Sequence, residues 1–100
     1  MEKKHKKLKS AQVEKHFRNI SDWKMNSKKT TLTKKIEFPT FVAGLAFSAK
    51  IAVYAEIMEH HPEITLTHDG VKITLTTQSI KGLSKSDFEL AKKIDNLKIS

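Results

Sequence analysis

The run from Phe41 to Met58, FVAGLAFSAKIAVYAEIM, follows a proline at position 39 and is apolar nearly all the way round. An ordinary surface helix carries one apolar stripe and leaves its other side to water. Here Phe41, Leu45, Ile51, Val53, Ile57 and Met58 are spread around the helix, with Ala43, Gly44, Ala46, Ala49, Ala52 and Ala55 between them. A chain of 100 residues forms one core of limited size and cannot cover such a helix on every side. The run therefore predicts a helix over about 40–60 that packs on a sheet with one side. Its other side is expected to meet a second copy of the chain, in a homodimer or homotetramer. A membrane span is the poorer account, because Lys50 and Glu56 would each cost about 2.5 to 3.5 kcal/mol at a bilayer centre.

The clearest strand signal is EITLTHDGVKITLTTQ, residues 63–78. Asp69-Gly70 favours a two-residue type I′ hairpin turn, which would pair His68 with Val71, Leu66 with Ile73, Ile64 with Leu75, and bring His61 opposite Gln78. Alternation then sends Ile64, Leu66, Val71, Ile73 and Leu75 to the core and Thr65, Thr67, Lys72, Thr74 and Thr76 to the other face. Upstream, Ser10 can cap a first helix through Val13 and Phe17. Trp23, Met25 and the stretch 30–38 read as two strands around the polar turn NSKK, which Pro39 closes. After Gly82, Ser84 and Asp87 form a capping-box-like pair that opens a last helix, with Phe88, Ala91, Ile94 and Leu97 as its buried stripe. The expected fold is α+β in the order α-β-β-α-β-β-α, with helices on one face of a four-stranded antiparallel sheet.

The formal net charge is +8. Removing residues 1–9 takes away five lysines and one glutamate and halves that excess to +4. The chain thus reads as a flexible basic tail over 1–9 and a single domain over 10–100, and nucleic acid is not the expected partner. With no cysteine there is no disulfide, thiolate nucleophile or cysteine-rich zinc site, and an intracellular, cytoplasmic chain fits best. Ser10, Gln12 and Glu14 after the basic start do not form the apolar stretch of a signal peptide.

Chemistry concentrates in EHHPEI, residues 59–64. Glu56 and His60 are four apart and would share a helix face. A carboxylate beside an imidazole stabilises its protonated form and fixes its orientation, which suits a proton donor. His61 follows, Gln78 is brought towards it, and Asp87 lies at a helix start where negative charge is favoured. The same residues also fit a purely structural role: histidines at a helix C-terminus interact with its free carbonyls, and Asp87 is a cap. A metal site built from Glu56, His60, His61 and His68 is disfavoured, because adjacent helical histidines diverge and no HExxH spacing is present.

AEIMEHHPEI, the hairpin, and then KGLSKSDFELAKKID together resemble the pterin-4a-carbinolamine dehydratase family, also known as the dimerisation cofactor of a homeodomain transcription factor. The resemblance runs through Trp23, Phe38, Phe41 and Phe47 and covers residues 10–97. It implies loss of water from a 4a-hydroxytetrahydropterin to give the quinonoid dihydropterin, in tetrahydropterin recycling, with no metal or redox cofactor. Position by position it implies His60 as the main general acid, His61 as the residue that holds the pterin, Glu56 as the group that tunes His60, and Asp87 as support. Gln78, Thr77 and Glu63 are the further candidate substrate contacts.

Two positions depart from the pattern, His68 where an aromatic residue is usual and Gln78 where a further histidine is usual. Glutamine cannot protonate a leaving group, so a working but slow dehydratase is one expectation. The other is a weak or inactive member serving as an oligomeric module that docks a partner's helix, as the family's second role implies.

Overall fold

The computed structural model describes residues 5–97. Its elements are α1 (Ser10–Phe17), β1 (Lys24–Met25), β2 (Leu32–Glu37), α2 (Phe41–Met58), β3 (Glu63–Thr67), β4 (Gly70–Leu75), a short 3-10 turn (Gln78–Ile80) and α3 (Lys85–Asp95). The four strands form one antiparallel sheet in the order β1-β2-β4-β3. The expected class and element order are those observed.

The hairpin differs in register. Thr67 pairs with Gly70, Leu66 with Val71 and Ile64 with Ile73, so His68 and Asp69 make the turn. Neither of them, nor Gly70, has a positive φ, which excludes type I′. The Asp69 carboxylate accepts from the Thr67 hydroxyl at 2.8 Å and closes the turn with a side chain. Gly70 serves close approach instead: a Cβ there would lie 2.5 Å from the Ile36 carbonyl oxygen in β2. The slip is by two residues, so each side chain keeps its expected face. Val71, Ile73 and Leu75 are fully buried with Leu32, under α2 and α3. His61 and Gln78 are not opposed, because β3 begins at Glu63 and β4 ends at Leu75.

The Thr40 hydroxyl caps α2 by accepting from Ala43 N–H at 3.1 Å. Gly44, Phe47, Ile51 and Ala55 form its buried side. Val42, Leu45, Val53 and Ile57 stand on the opposite side, with Ile57 73% and Val42 71% exposed. By length and mean hydropathy α2 could cross a membrane; its inner side is instead packed in the domain core.

Of the basic tail expected over 1–9, residues 1–4 lie outside the described residues, and the remainder does not hang free. Leu8 packs on the core and its N–H donates to the Leu83 carbonyl at 2.9 Å. Lys9, not Ser10, occupies the cap position of α1, and its N–H donates to the Gln12 side chain. Ser10 instead accepts from Lys29 Nζ. A lock not foreseen in the sequence ties the start of β1 to the end of α3. Asp95 accepts from the Trp23 indole at 2.8 Å and from Lys34 Nζ at 2.7 Å, and Lys34 sits over the Trp23 ring.

Candidate active site

The chemistry of the site follows from how α2 ends. Glu59 adopts the left-handed conformation, φ 53 and ψ 40, a position usually given to glycine. The N–H of His60 reaches back to the Ala55 carbonyl at 3.0 Å and that of Glu59 to the Glu56 carbonyl at 3.2 Å. This reversal turns His60 inward and leaves His61 outside.

His60 is 6% exposed and its Nε2 lies 2.6 Å from Asp87 Oδ1. Asp87 has no exposed surface; its Oδ2 accepts from the Thr77 hydroxyl at 2.7 Å and from Ser84 N–H at 2.9 Å. The expected capping box of Ser84 and Asp87 is therefore formed, and Thr77 hydroxyl also lies 2.8 Å from that of Ser84. Three donors and a helix start hold this carboxylate as an anion-shaped acceptor. A carboxylate only accepts, so the hydrogen of the short contact sits on His60 Nε2 and Nδ1 is the nitrogen left to exchange a proton. The imidazole is thus oriented by a buried acid, the logic that serves acid–base histidines elsewhere.

Glu56 does not pair with His60. The spacing of four assumed that the helix continued, whereas it ends at Met58 and the turn at Glu59 carries His60 away. Glu56 lies instead 3.4 Å from His61 Nε2, with side chains 77% and 64% exposed. That is a loose pair in water.

The other expected contacts divide. Thr77 is buried and its hydroxyl is engaged by Asp87 and Ser84, so it positions the acid. Gln78 is exposed at the start of the 3-10 turn and Glu63 is exposed at the start of β3. Among the described residues neither is bonded to a histidine. Two residues were missed. His5 lies with its ring centroid 5.3 Å from that of His60, and Ser86 Oγ is 3.5 Å from His5 Nδ1. The signal for His5 was present, a histidine beside the apolar Leu8, but it sat among lysines that read as solvated. A cavity of about 400 Å³ adjoins His5 on the α3 side, lined also by Ser84, Lys85 and Ser86.

The profile of the family described as pterin 4 alpha carbinolamine dehydratase matches residues 6–97. The chain belongs to this family. A member from Rhodospirillum rubrum, provisionally named a pterin-4-alpha-carbinolamine dehydratase, is 40% identical over 76 residues, covering 76% of this chain and 79% of that one. One from Mycobacterium leprae with the same provisional name is 34% identical, covering 90% of this chain and 94% of its own. The crystal structure of a transcriptional coactivator/pterin dehydratase from Brucella melitensis superposes with a TM-score of 0.82 at 28% identity, over 89% of this chain and 95% of the other. A pterin dehydratase-like RuBisCO assembly factor of the alpha-carboxysome shares the fold, with a TM-score of 0.62 at 24% identity over 74% and 86%.

Proposed function

We propose that the protein is a cytoplasmic dehydratase that converts a 4a-hydroxytetrahydropterin to quinonoid dihydropterin and water, with His60 as main general acid. The observation that carries this reading is the 2.6 Å contact between His60 and the buried Asp87 in a chain of the dehydratase family.

The hydroxyl leaves from a carbon bonded to a ring nitrogen. The nitrogen's lone pair forms the new double bond as the carbon–oxygen bond breaks. The protein supplies a proton to the departing oxygen, a base for the nitrogen-bound proton, and orientation. His60, tethered through Nε2, delivers its proton from Nδ1, and Asp87 fixes the orientation of the ring. His61, open to solvent beside Glu56, holds the pterin and can accept the second proton. Gln78 contributes hydrogen bonding only.

Stopped-flow measurement of 4a-hydroxytetrahydropterin loss is expected to show acceleration by the wild-type protein. Gln78→His, which adds a proton carrier, is expected to be faster by about tenfold or more. No acceleration by either protein would contradict the reading.

The exposed side of α2 supports a second reading, a homodimer or homotetramer formed through this helix or a module that docks a partner helix. Val42, Leu45, Val53 and Ile57 make an apolar stripe at helical spacing, and Ala46, Ala49 and Ala52 let another helix approach closely. Sedimentation at micromolar concentration is expected to show a dimer or tetramer, and Val53→Glu with Ile57→Glu a monomer. A stable wild-type monomer would contradict self-association.

A further inference from the structure

The face of the sheet turned away from α2 and α3 is polar throughout β2, β3 and β4. It presents Thr33, Lys35 and Glu37, then Lys72 and Thr74, then Glu63, Thr65 and Thr67. In its middle Lys35 of β2 stands directly opposite Lys72 of β4. Residues so placed have Cβ atoms about 4.5 to 5.5 Å apart, and like charges there are destabilising. Among the described residues neither lysine forms an ion pair or a side-chain hydrogen bond. The Asp69 carboxylate is engaged instead by the Thr67 hydroxyl, at 2.8 Å. A local rule broken with no local compensation is the mark of a site that meets something else.

A hollow of about 360 Å³ opens beside this pair, lined by Lys35, Lys72, Thr65, Thr67, Glu37 and Asp69 around Gly70. Gly70 lies between Thr67 and Glu37 in the strand register and leaves their row without a central side chain. Substitution cannot fill the gap, since a Cβ there would lie 2.5 Å from the Ile36 carbonyl oxygen. Thr65 adjoins Lys72 on its other side, and its hydroxyl has no partner among the described residues. Two ammonium groups and a free hydroxyl therefore border one hollow, with Glu37 and Asp69 on its rim. The volume falls in the range of small-ligand sites, about 300 to 1,000 Å³.

We propose that this hollow binds a phosphorylated polyol of the sugar-monophosphate class. Lys35, Lys72 and the Thr65 hydroxyl donate to the phosphate oxygens, and Glu37 accepts from hydroxyls of the remainder. Carboxylates bound the basic area at both ends, Glu37 and Asp69 at one and Glu63 at the other. It thus matches one phosphate group rather than the run of phosphates along a nucleic-acid backbone. None of the strand residues on this face is aromatic, so a base has no ring to stack on. The site is separate from His60 and Asp87, which belong to the helix layer, and it stands whether or not the protein dehydrates a pterin.

Titration of the isotope-labelled full chain with ribose 5-phosphate, followed by NMR at constant ionic strength, tests this. Signals of Lys35, Thr65, Gly70 and Lys72 are expected to shift saturably, with a dissociation constant of about 1 mM or below. Lys35→Thr and Lys72→Thr keep a strand-forming residue on an exposed face and are each expected to weaken binding about tenfold. Lys28→Thr, in the turn between β1 and β2, is expected to leave it unchanged. Ribose 5-phosphate is expected to bind severalfold more tightly than inorganic phosphate, and Glu37→Ala to erase that difference. The absence of saturation up to roughly 10 mM would overturn the site, and so would an equal loss in Lys28→Thr, which would mean general attraction to positive charge. Inorganic phosphate binding as tightly as ribose 5-phosphate would overturn the polyol. Tighter binding of an oligothymidylate at the same residues would make the face a nucleic-acid surface and overturn the assignment.

Discussion

His60 is 6% exposed and held at 2.6 Å by a carboxylate with no surface of its own, whereas His61, one residue on, is 64% exposed and 3.4 Å from a carboxylate in solvent. Both pairs join an imidazole to an acid, and their physical weights differ greatly. In the first, desolvation makes each hydrogen bond strong and any missing partner costly. In the second, water competes for both groups and screens their attraction. What divides two adjacent identical residues is the single left-handed position at Glu59. It sends one ring to the base of α3 and leaves the other at the rim.

The comparison can be broken first at its acids. Asp87→Ala removes the acceptor of His60, Thr77 and Ser84 N–H together, and is expected to cost about 3–5 kcal/mol of stability in denaturant unfolding. A loss below about 1 kcal/mol would mean that the buried pair is not the anchor described. The second point of attack is the turn. Glu59→Gly relieves a side chain in the left-handed region and is expected to add about 1 kcal/mol while keeping the His60–Asp87 contact. A destabilised Glu59→Gly protein would show that the glutamate side chain itself holds the corner. The smallest effect is expected on the exposed side, where Glu56→Ala should change stability by less than about 0.5 kcal/mol.

Sequence patterns fixed the faces better than the partners. The two-residue slip of the β3–β4 hairpin escaped notice because Asp69-Gly70 has the composition of a type I′ turn, while Gly70 answers to the Ile36 carbonyl in β2. Period-two alternation survives an even slip, so the predicted core of Ile64, Leu66, Val71, Ile73 and Leu75 stood. The excess apolarity of α2 and the Ser84–Asp87 box were legible because each is local, within one helix or one turn. The partners of the histidines were not. Pairing Glu56 with His60 requires a helix that continues, and no residue type at 59 announces a left-handed corner as glycine would. His60 with Asp87 spans 27 residues and Trp23 with Asp95 spans 72, distances at which sequence spacing carries no geometry. Leu8 was hidden for another reason: five lysines around it outweigh one apolar plug in any compositional reading.

The division of labour between the two rings is decided by single-turnover dehydration of 4a-hydroxytetrahydropterin by His60→Ala and His61→Ala, with substrate saturation measured for each. The buried ring as acid predicts that His60→Ala lowers the rate of the chemical step by about 10² to 10⁴, while His61→Ala acts mainly by weakening binding, about tenfold. A His60→Ala protein that turns over at the wild-type rate, with the loss falling on His61→Ala, would contradict it and move the proton to the exposed ring.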